Sequence, residues 1–298
     1  MDSGTSDGAG GARRCLAAHT RMVLKVGTNV LVDAAGGFAG GVLAELAASV
    51  ARMRRAGRDV VLVSSGAVAL GLHQMANVHA PPVPAQPAAA QRMTLDTPAH
   101  RAACAAAGQS WLTAIYHEAF QRHALPIAQI LVTSDDFLDP DRSAGLSETL
   151  RQLLSRGIVP VVNENDAVSH HAGASQNRLF HDNDQLAALI APLLDCKLLI
   201  LLTDVDGLYT LDPTHADAEL IGALTDVSDE HFENAGASGP RGRGGMRSKL
   251  IAVMRARRDP ELVAVIANGR TPGVLDRIMA GEEIGTIIAT IATGSANA

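Results

Sequence analysis

Short, almost unbroken aliphatic runs, each separated from the next by a helical pattern, recur from about residue 22 to the end of the chain. "MVLKVGTNVLV" (22–32) reads as a strand or hairpin. "DVVLVSSGA" (59–67), "PIAQILV" (126–132), "IVPVVNEN" (158–165), "KLLILLTD" (197–204), "LVAVIANG" (262–269) and "GTIIATI" (285–291) read as strands. A strand with one wet face alternates apolar and polar residues, whereas a strand apolar throughout is covered on both faces. Helical patterns at 42–57, closed by Gly57, and near 110–123, 145–156, 184–194, 246–257 and 272–280 supply the cover. The pattern predicts a three-layer α/β/α sandwich around a mostly parallel sheet. With aromatics at only 3% of residues, its core is built from Ala, Val, Leu and Ile.

At 298 residues the chain is long enough for a sizeable core. The balance of 47% hydrophobic and 19% charged residues fits a soluble globular protein, and a net charge of −6 argues against a nucleic-acid partner. Cys15, Cys104 and Cys196 are widely spaced and form no metal or disulfide pattern, which fits a reducing, cytoplasmic setting. No apolar run approaches the roughly 20 residues of a membrane span. Residues 1–20, rich in Gly, Ser and Ala, read as a disordered leader, and the Pro/Ala-rich 76–100 segment as a surface loop.

In open α/β sheets, ligands bind beyond the carboxyl ends of the strands. The polar residues that end these runs therefore define a candidate pocket: Gly27-Thr28, Ser64-Ser65-Gly66, Asn163 to Asp166, Thr203-Asp204 and Asn268-Gly269. Lys25 stands in an apolar strand just before Gly27. It is either an edge lysine reaching water or a cation for a phosphate approached by bare backbone. Ser65-Gly66-Ala67 opens a helix, whose free backbone amides are capped by Ser64 or Ser65 or bind an anion. "NENDAV" (163–168) and "HDNDQLAALIA" (181–191) concentrate Asn163, Asp166, Asp182, Asn183 and Asp184 at two element ends. Capping explains one of these residues, not all. Acids for an ammonium and amides for a carboxylate suit a zwitterion. The run "GRGGMRSKL" (242–250) is not a P-loop, which requires a glycine, four residues, then Gly-Lys-Ser/Thr. Its glycines and cations read either as a solvated basic loop or as a nucleotide-phosphate loop.

In chain order, "KVGTNVL", "VSSGAVALG", "GQSWL", "AQILVT", "VVNENDAV", "DNDQLAALIA", "LLTDVDGLYT", "GGMRSK" and "IANGRTPGVL" span about residues 22–290. Single motifs among these are unspecific, but the ordered set closely resembles the glutamate 5-kinases (γ-glutamyl kinases) of the amino acid kinase family. The resemblance implies ATP-dependent phosphorylation of the γ-carboxylate of L-glutamate, the first step of proline synthesis, with Mg²⁺ accompanying ATP. It assigns Lys25 and Lys249 to the transferring phosphoryl group and Asp184 to positioning them. It assigns Ser65, Gly66, Ala67, Asn163, Asp166, Asp182 and Asn183 to the glutamate site. To the nucleotide it gives Lys25, Gly27, Thr28, Thr203, Asp204, Arg243, Gly244, Gly245, Met246 and Lys249. It also implies a homo-oligomer, L-proline as a candidate feedback inhibitor and a glutamyl phosphate reductase as a candidate partner. One kinase domain over 21–298 is expected, without the C-terminal PUA-type domain that many relatives carry. The 169–180 link, "SHHAGASQNRLF", departs from the family pattern, and its His170 and His171, with His181, read as loop residues rather than metal ligands.

Three other readings compete. An aspartate or N-acetylglutamate kinase would differ in substrate alone. A non-catalytic small-molecule sensor on the same fold has little use for Lys25, Asp184 and Lys249 together. A dinucleotide oxidoreductase lacks its G-x-G-x-x-G after the first strand.

Overall fold

The computed structural model describes residues 4–32, 37–76, 97–169, 178–235 and 245–290, with side chains from Gly10 onward. Its elements are α1 (Gly4–Cys15), β1 (Arg21–Val26), α2 (Thr28–Leu31), α3 (Gly40–Arg55), β2 (Asp59–Ser64), α4 (Ala67–Ala76) and α5 (Pro98–Gln121). There follow β3 (Ile127–Val132), α6 (Asp135–Leu138), α7 (Pro140–Ser155), β4 (Val159–Glu164), α8 (Asn183–Leu193) and β5 (Leu198–Thr203). The chain continues with β6 (Ala223–Leu224), α9 (Asp229–Asn234), α10 (Met246–Ala256), β7 (Val263–Asn268), α11 (Val274–Met279) and β8 (Thr286–Ile288).

Among the described residues the strands form one sheet in the order β3-β4-β2-β1-β5-β7-β8-β6. Every pairing is parallel except β7–β8. Alternate residues of the central strands feed two separate cores. Met22, Leu24, Leu62 and Ile200 pack with α3, α4, α5 and α11, while Val23, Val61, Val63 and Leu199 pack with α7, α8 and α10. Both faces are therefore dry, as the unbroken apolar runs predict. From β1 the chain moves to β2, β3 and β4 on one side, then crosses to β5 on the other. That reversal opens a crevice at the carboxyl ends beside β1.

Several expectations need correction. The 22–32 run is neither a long strand nor a hairpin: β1 stops at Val26, and Thr28–Leu31 turn into α2, whose Val30 and Leu31 are still buried. Burial on a short helix and burial on a strand leave the same apolar run. Residues 4–18 of the expected disordered leader form α1 and a 3₁₀ turn, held by a fully buried Leu16 and by Arg13. Two helices start earlier than their apolar periodicity suggests. Thr97 caps α5 ahead of Pro98, and Asp139 caps α7 ahead of Pro140, so chemistry at the first turn sets the boundary. The 285–291 run shortens to β8, which lies antiparallel to β7. Strand β6, only two residues long, has no sequence signature. Residues 77–96 of the Pro/Ala-rich segment lie outside the described residues, as do 170–177 and 236–244.

Among the described residues, helices α4 and α5 are the most closely packed helical pair. A Cβ on Gly71 would lie 1.7 Å from the Cys104 carbonyl oxygen, and one on Gly108 would lie 1.9 Å from that of Ala67. Only hydrogen at both positions lets the two backbones meet. This contact places Gln109, on α5, beside the carboxyl ends of β2 and β4.

Candidate active site

Three charged side chains meet at the crevice. Lys25 is the penultimate residue of β1, opposite Val63 of β2 and Leu201 of β5. Asp184 lies in the first turn of α8 and Lys249 in the first turn of α10. Lys25 Nζ is 2.8 Å from Asp184 Oδ1, and Lys249 Nζ is 3.1 Å from Oδ2. Their exposures are 5%, 0% and 4% for Lys25, Asp184 and Lys249. The edge-lysine reading of Lys25 therefore fails, because it sits in a central strand and meets a carboxylate rather than water. Burial lowers the Lys25 ammonium below its ordinary range and the neighbouring Lys249 charge adds to this, against the pull of Asp184. Burial also opposes ionisation of Asp184, yet Lys249 and Lys25 outweigh it and hold that carboxyl below the usual range. The cluster carries one net positive charge in a largely dry place, suited to an anion whose charge grows.

Gly27, two residues beyond Lys25, has no side chain. A Cβ there would stand 3.0 Å from the Leu202 carbonyl and 3.6 Å from Lys25 Nζ, narrowing the approach to the ammonium.

A second group is neutral. The Asn183 amide Nδ2 donates to the Ser64 carbonyl at 2.7 Å, to Ser65 Oγ at 3.1 Å and to Asn163 Oδ1 at 2.8 Å. Asn163 Nδ2 donates in turn to Gln109 Oε1 at 2.8 Å. Gln109 and Gln129 both bond Thr113. Gly66, between Ser65 and α4, has φ +109°, which an L side chain rarely adopts. It turns the chain so that Ala67 starts α4 beside Ser65. Asp166 sits half-buried in the turn after β4.

Asp182 is the clustered acid that capping accounts for. Its Oδ1 caps α8 by accepting from the Asp184 and Gln185 amides at 3.0 Å, and its Oδ2 accepts from Ser248. Both oxygens are thus engaged in fixing α8 against α10, and through them Asp184 against Lys249. This gives Asp182 a positioning role at the edge of the cleft. The cap answers which of the clustered acids is ordinary helix-start chemistry.

On the β5 side, Thr203 donates to Asp204 Oδ1 at 3.2 Å, and Asn29 Nδ2 from α2 donates to Asp204 Oδ2 at 2.8 Å. This links Thr28 and its neighbours to Thr203-Asp204. Gly245 is the N-cap of α10 and Met246 its first residue. Arg243 and Gly244, with most of the "GRGG" run, lie outside the described residues.

A family model for amino acid kinases matches residues 20–268, across every element that builds this cleft. The chain belongs to the amino acid kinase family. Amino acid kinases similar to it include the glutamate 5-kinase of Thioalkalivibrio sulfidiphilus, 40% identical over 278 residues, covering 93% of this chain and 69% of that enzyme. The glutamate 5-kinase of Nitrosomonas eutropha is 40% identical over 277 residues, covering 92% and 69%. Solved structures of the same fold include an isopentenyl phosphate kinase (TM-score 0.59, 18% identity, covering 90% of this chain and 100% of that one). The UMP kinase of Bacillus anthracis is similar too (TM-score 0.59, 18% identity, covering 92% and 97%).

Magnesium is the ion a kinase of this family calls for, and the donors here can be tested against it. Among the described residues, no group of three or more His, Cys, Asp or Glu gathers as a cation cage. Asp184, the central carboxylate, already faces two ammonium groups. These residues do not fit a metal held by the protein. Also among the described residues, no helix is long and apolar enough to cross a membrane.

Sequence reasoning gave Gln109 no role, although "GQSWL" contains it. A glutamine on a helix is ordinarily a solvated residue, and only the α4–α5 contact brings this one to Asn163. Ser248 and Asn29 were missed for the same reason: each acts on a side chain far away in sequence.

Proposed function

We infer that this chain is an ATP-dependent glutamate 5-kinase, forming γ-glutamyl phosphate and ADP as the first step of proline synthesis. The observation that carries the reading is the meeting of Lys25 and Lys249 on the two oxygens of buried Asp184. Relatives about 40% identical over more than nine-tenths of the chain supply the substrate.

The reaction is an in-line transfer. An oxygen of the substrate's γ-carboxylate forms a bond to the γ-phosphorus of ATP as the bond to the β–γ bridging oxygen breaks, and ADP leaves with that electron pair. A carboxylate with an ordinary pKa of about 4.3 is already ionised at neutral pH, so no general base is needed. What the protein must supply is alignment and positive charge. In this reading Lys25 and Lys249 flank the transferring phosphoryl group and stabilise its equatorial oxygens. Asp184 fixes the two ammonium groups in advance, which removes the cost of reorganising them during the reaction. ATP enters as its magnesium complex, so the cation arrives with the substrate.

Ser65, Asn163, Asp182 and Asn183, with the turn Gly66–Ala67, bind and orient glutamate, and Asp166 is assigned to its ammonium group. Thr203, Asp204, Gly27, Thr28 and the start of α10, with Arg243 and Gly244, receive the nucleotide. The product is an acyl phosphate, a mixed anhydride suited to reduction by a following enzyme.

The test is ADP release from magnesium ATP with L-glutamate, L-aspartate or N-acetyl-L-glutamate, with hydroxylamine present to trap acyl phosphate. A hydroxamate from glutamate alone is the expected result. ATP binding without turnover of any of the three would replace this reading with a sensor.

A further inference from the structure

Helix α1 sends a cation into the far edge of the sheet. Arg13 is 3% exposed, and all four of its described hydrogen bonds end on backbone carbonyls. Nη1 donates to Glu282 and Ile284 at 2.9 Å each, and Nη2 donates to Gly222 at 2.7 Å and Gly285 at 3.0 Å. These carbonyls belong to the two segments that lead into β6 and β8. The planar fork of a guanidinium can hold two strands at once, which a lysine's ammonium does less well. Truncating it would leave carbonyls in a mostly dry setting without their donor.

The residue after Gly285 passes the restraint onward. Thr286 is fully buried; its hydroxyl accepts from the Leu208 amide at 2.8 Å and donates to the Ile221 carbonyl at 2.6 Å. Gly207 lies directly against it, since a Cβ there would be 2.6 Å from the Thr286 hydroxyl oxygen. The Ile221 amide closes the contact on the Leu208 carbonyl at 2.8 Å, and Asn268 at the end of β7 holds Asp206 at 2.9 Å. The loop fixed in this way, residues 204–208, is the direct continuation of Thr203-Asp204. The family-model match spans residues 20–268, so both Arg13 and Thr286 act on this loop from outside that match, Arg13 through the β6–β8 edge.

We propose that Arg13 and Thr286 are positioning residues for the nucleotide: together they lock the β6–β8 edge and so hold the Asp204–Leu208 loop in the shape that receives ATP. The proposal rests on the reading that ATP binds at Thr203-Asp204. It separates Thr286 from an ordinary core threonine, because its hydroxyl bridges two loop segments instead of satisfying only its own turn.

Thr286→Val keeps the volume and removes both hydrogen bonds, and Thr286→Ser keeps the hydroxyl. Arg13→Ala and Arg13→Lys probe the clamp itself. Steady-state KM values for magnesium ATP and for glutamate should be measured alongside calorimetric titration with the non-hydrolysable ATP analogue AMP-PNP and magnesium. The expected result for Thr286→Val is a rise of about tenfold in both the ATP KM and the AMP-PNP Kd, because the released loop then holds its binding shape only about a tenth of the time. The glutamate KM stays within about twofold, and Thr286→Ser recovers most of the loss. Arg13→Ala shifts the same quantities, with Arg13→Lys between it and the wild type. Unchanged nucleotide affinity in variants with a lowered melting temperature would overturn the proposal, leaving the edge as scaffold. Equal rises in both KM values would overturn it too. A folded wild type that does not bind AMP-PNP would overturn the nucleotide reading itself, and this proposal with it.

Discussion

On the α8–α10 side of the cleft, two ammonium groups share one carboxylate; on the α4–α5 side, Ser65, Asn183, Asn163 and Gln109 form a chain of hydrogen bonds with no formal charge. The first arrangement is costly to fold, since each buried ion forfeits several kcal/mol of hydration. Such a cost is justified where charge develops during the reaction. The second costs less and is more directional. With three acceptors around its amide nitrogen, Asn183 is fixed in one orientation, so its oxygen must point elsewhere. The contrast assigns different kinetic consequences to the two sides. Charge should govern the rate of transfer and amides the binding of the amino acid.

The largest effect is expected from Asp184→Ala. It leaves two lysines buried without their shared partner, with a stability loss of about 3–5 kcal/mol and no measurable turnover. Urea unfolding reads the first part; an unchanged midpoint would mean that the lysines find water, and that the charged side is less dry than described.

Next come Lys249→Ala and Lys25→Ala. Each should lower kcat by roughly a hundred- to a thousandfold, as loss of one preorganised donor does, with the glutamate KM within a few-fold. A rise confined to KM would erase the distinction between the two sides. The same lysine gives a pH test. In the proposed mechanism Lys25 acts in its protonated form, and burial lowers its pKa, so kcat should fall as pH rises through a value below the ordinary 10.5. A pH–rate profile of kcat whose alkaline limb lies at or above 10.5 would contradict this.

Asn183→Ala should act the other way, raising the glutamate KM by about ten- to a hundredfold, in line with one lost hydrogen bond to a charged group. The smallest effect is expected for Gln109→Leu, which reaches the substrate only through Asn163: roughly a two- to fivefold rise in glutamate KM, for loss of less than one full hydrogen bond. If Gln109→Leu exceeded Asn183→Ala, Gln109 would itself be a substrate contact.

Much of this architecture was legible beforehand because burial on both faces writes a distinctive sequence. The β2, β4, β5 and β7 runs show the sheet, and the polar residues ending them mark the edge where Lys25, Asn163 and Thr203 lie. Periodicity fails where burial is shared by unlike elements, as in β1 followed by α2. It fails again where the chain is held from elsewhere. Helix α1 is built from residues with poor helical propensity and is anchored through Leu16 and Arg13. Within the site, motif order pointed to Lys25, Asp184 and Lys249, but could not separate Asp182 from its neighbours. A cap and a ligand use the same residue types, and only the folded chain shows that Asp182 is the one that caps α8.

The glycine pair between α4 and α5 bears on how this protein can be engineered. Replacing a helical glycine by alanine is a standard route to thermostability, because it narrows the unfolded ensemble and gains about 0.4–1 kcal/mol. At Gly71 or Gly108 the sign should reverse. The added methyl would land less than 2 Å from a carbonyl oxygen, so the helices must separate, carrying Ser65 and Gln109 apart with them. A screen that scores melting temperature alone would register a loss of stability. Beneath it would lie a change in the width of the proposed amino-acid pocket, set by two missing carbon atoms on its supporting helices.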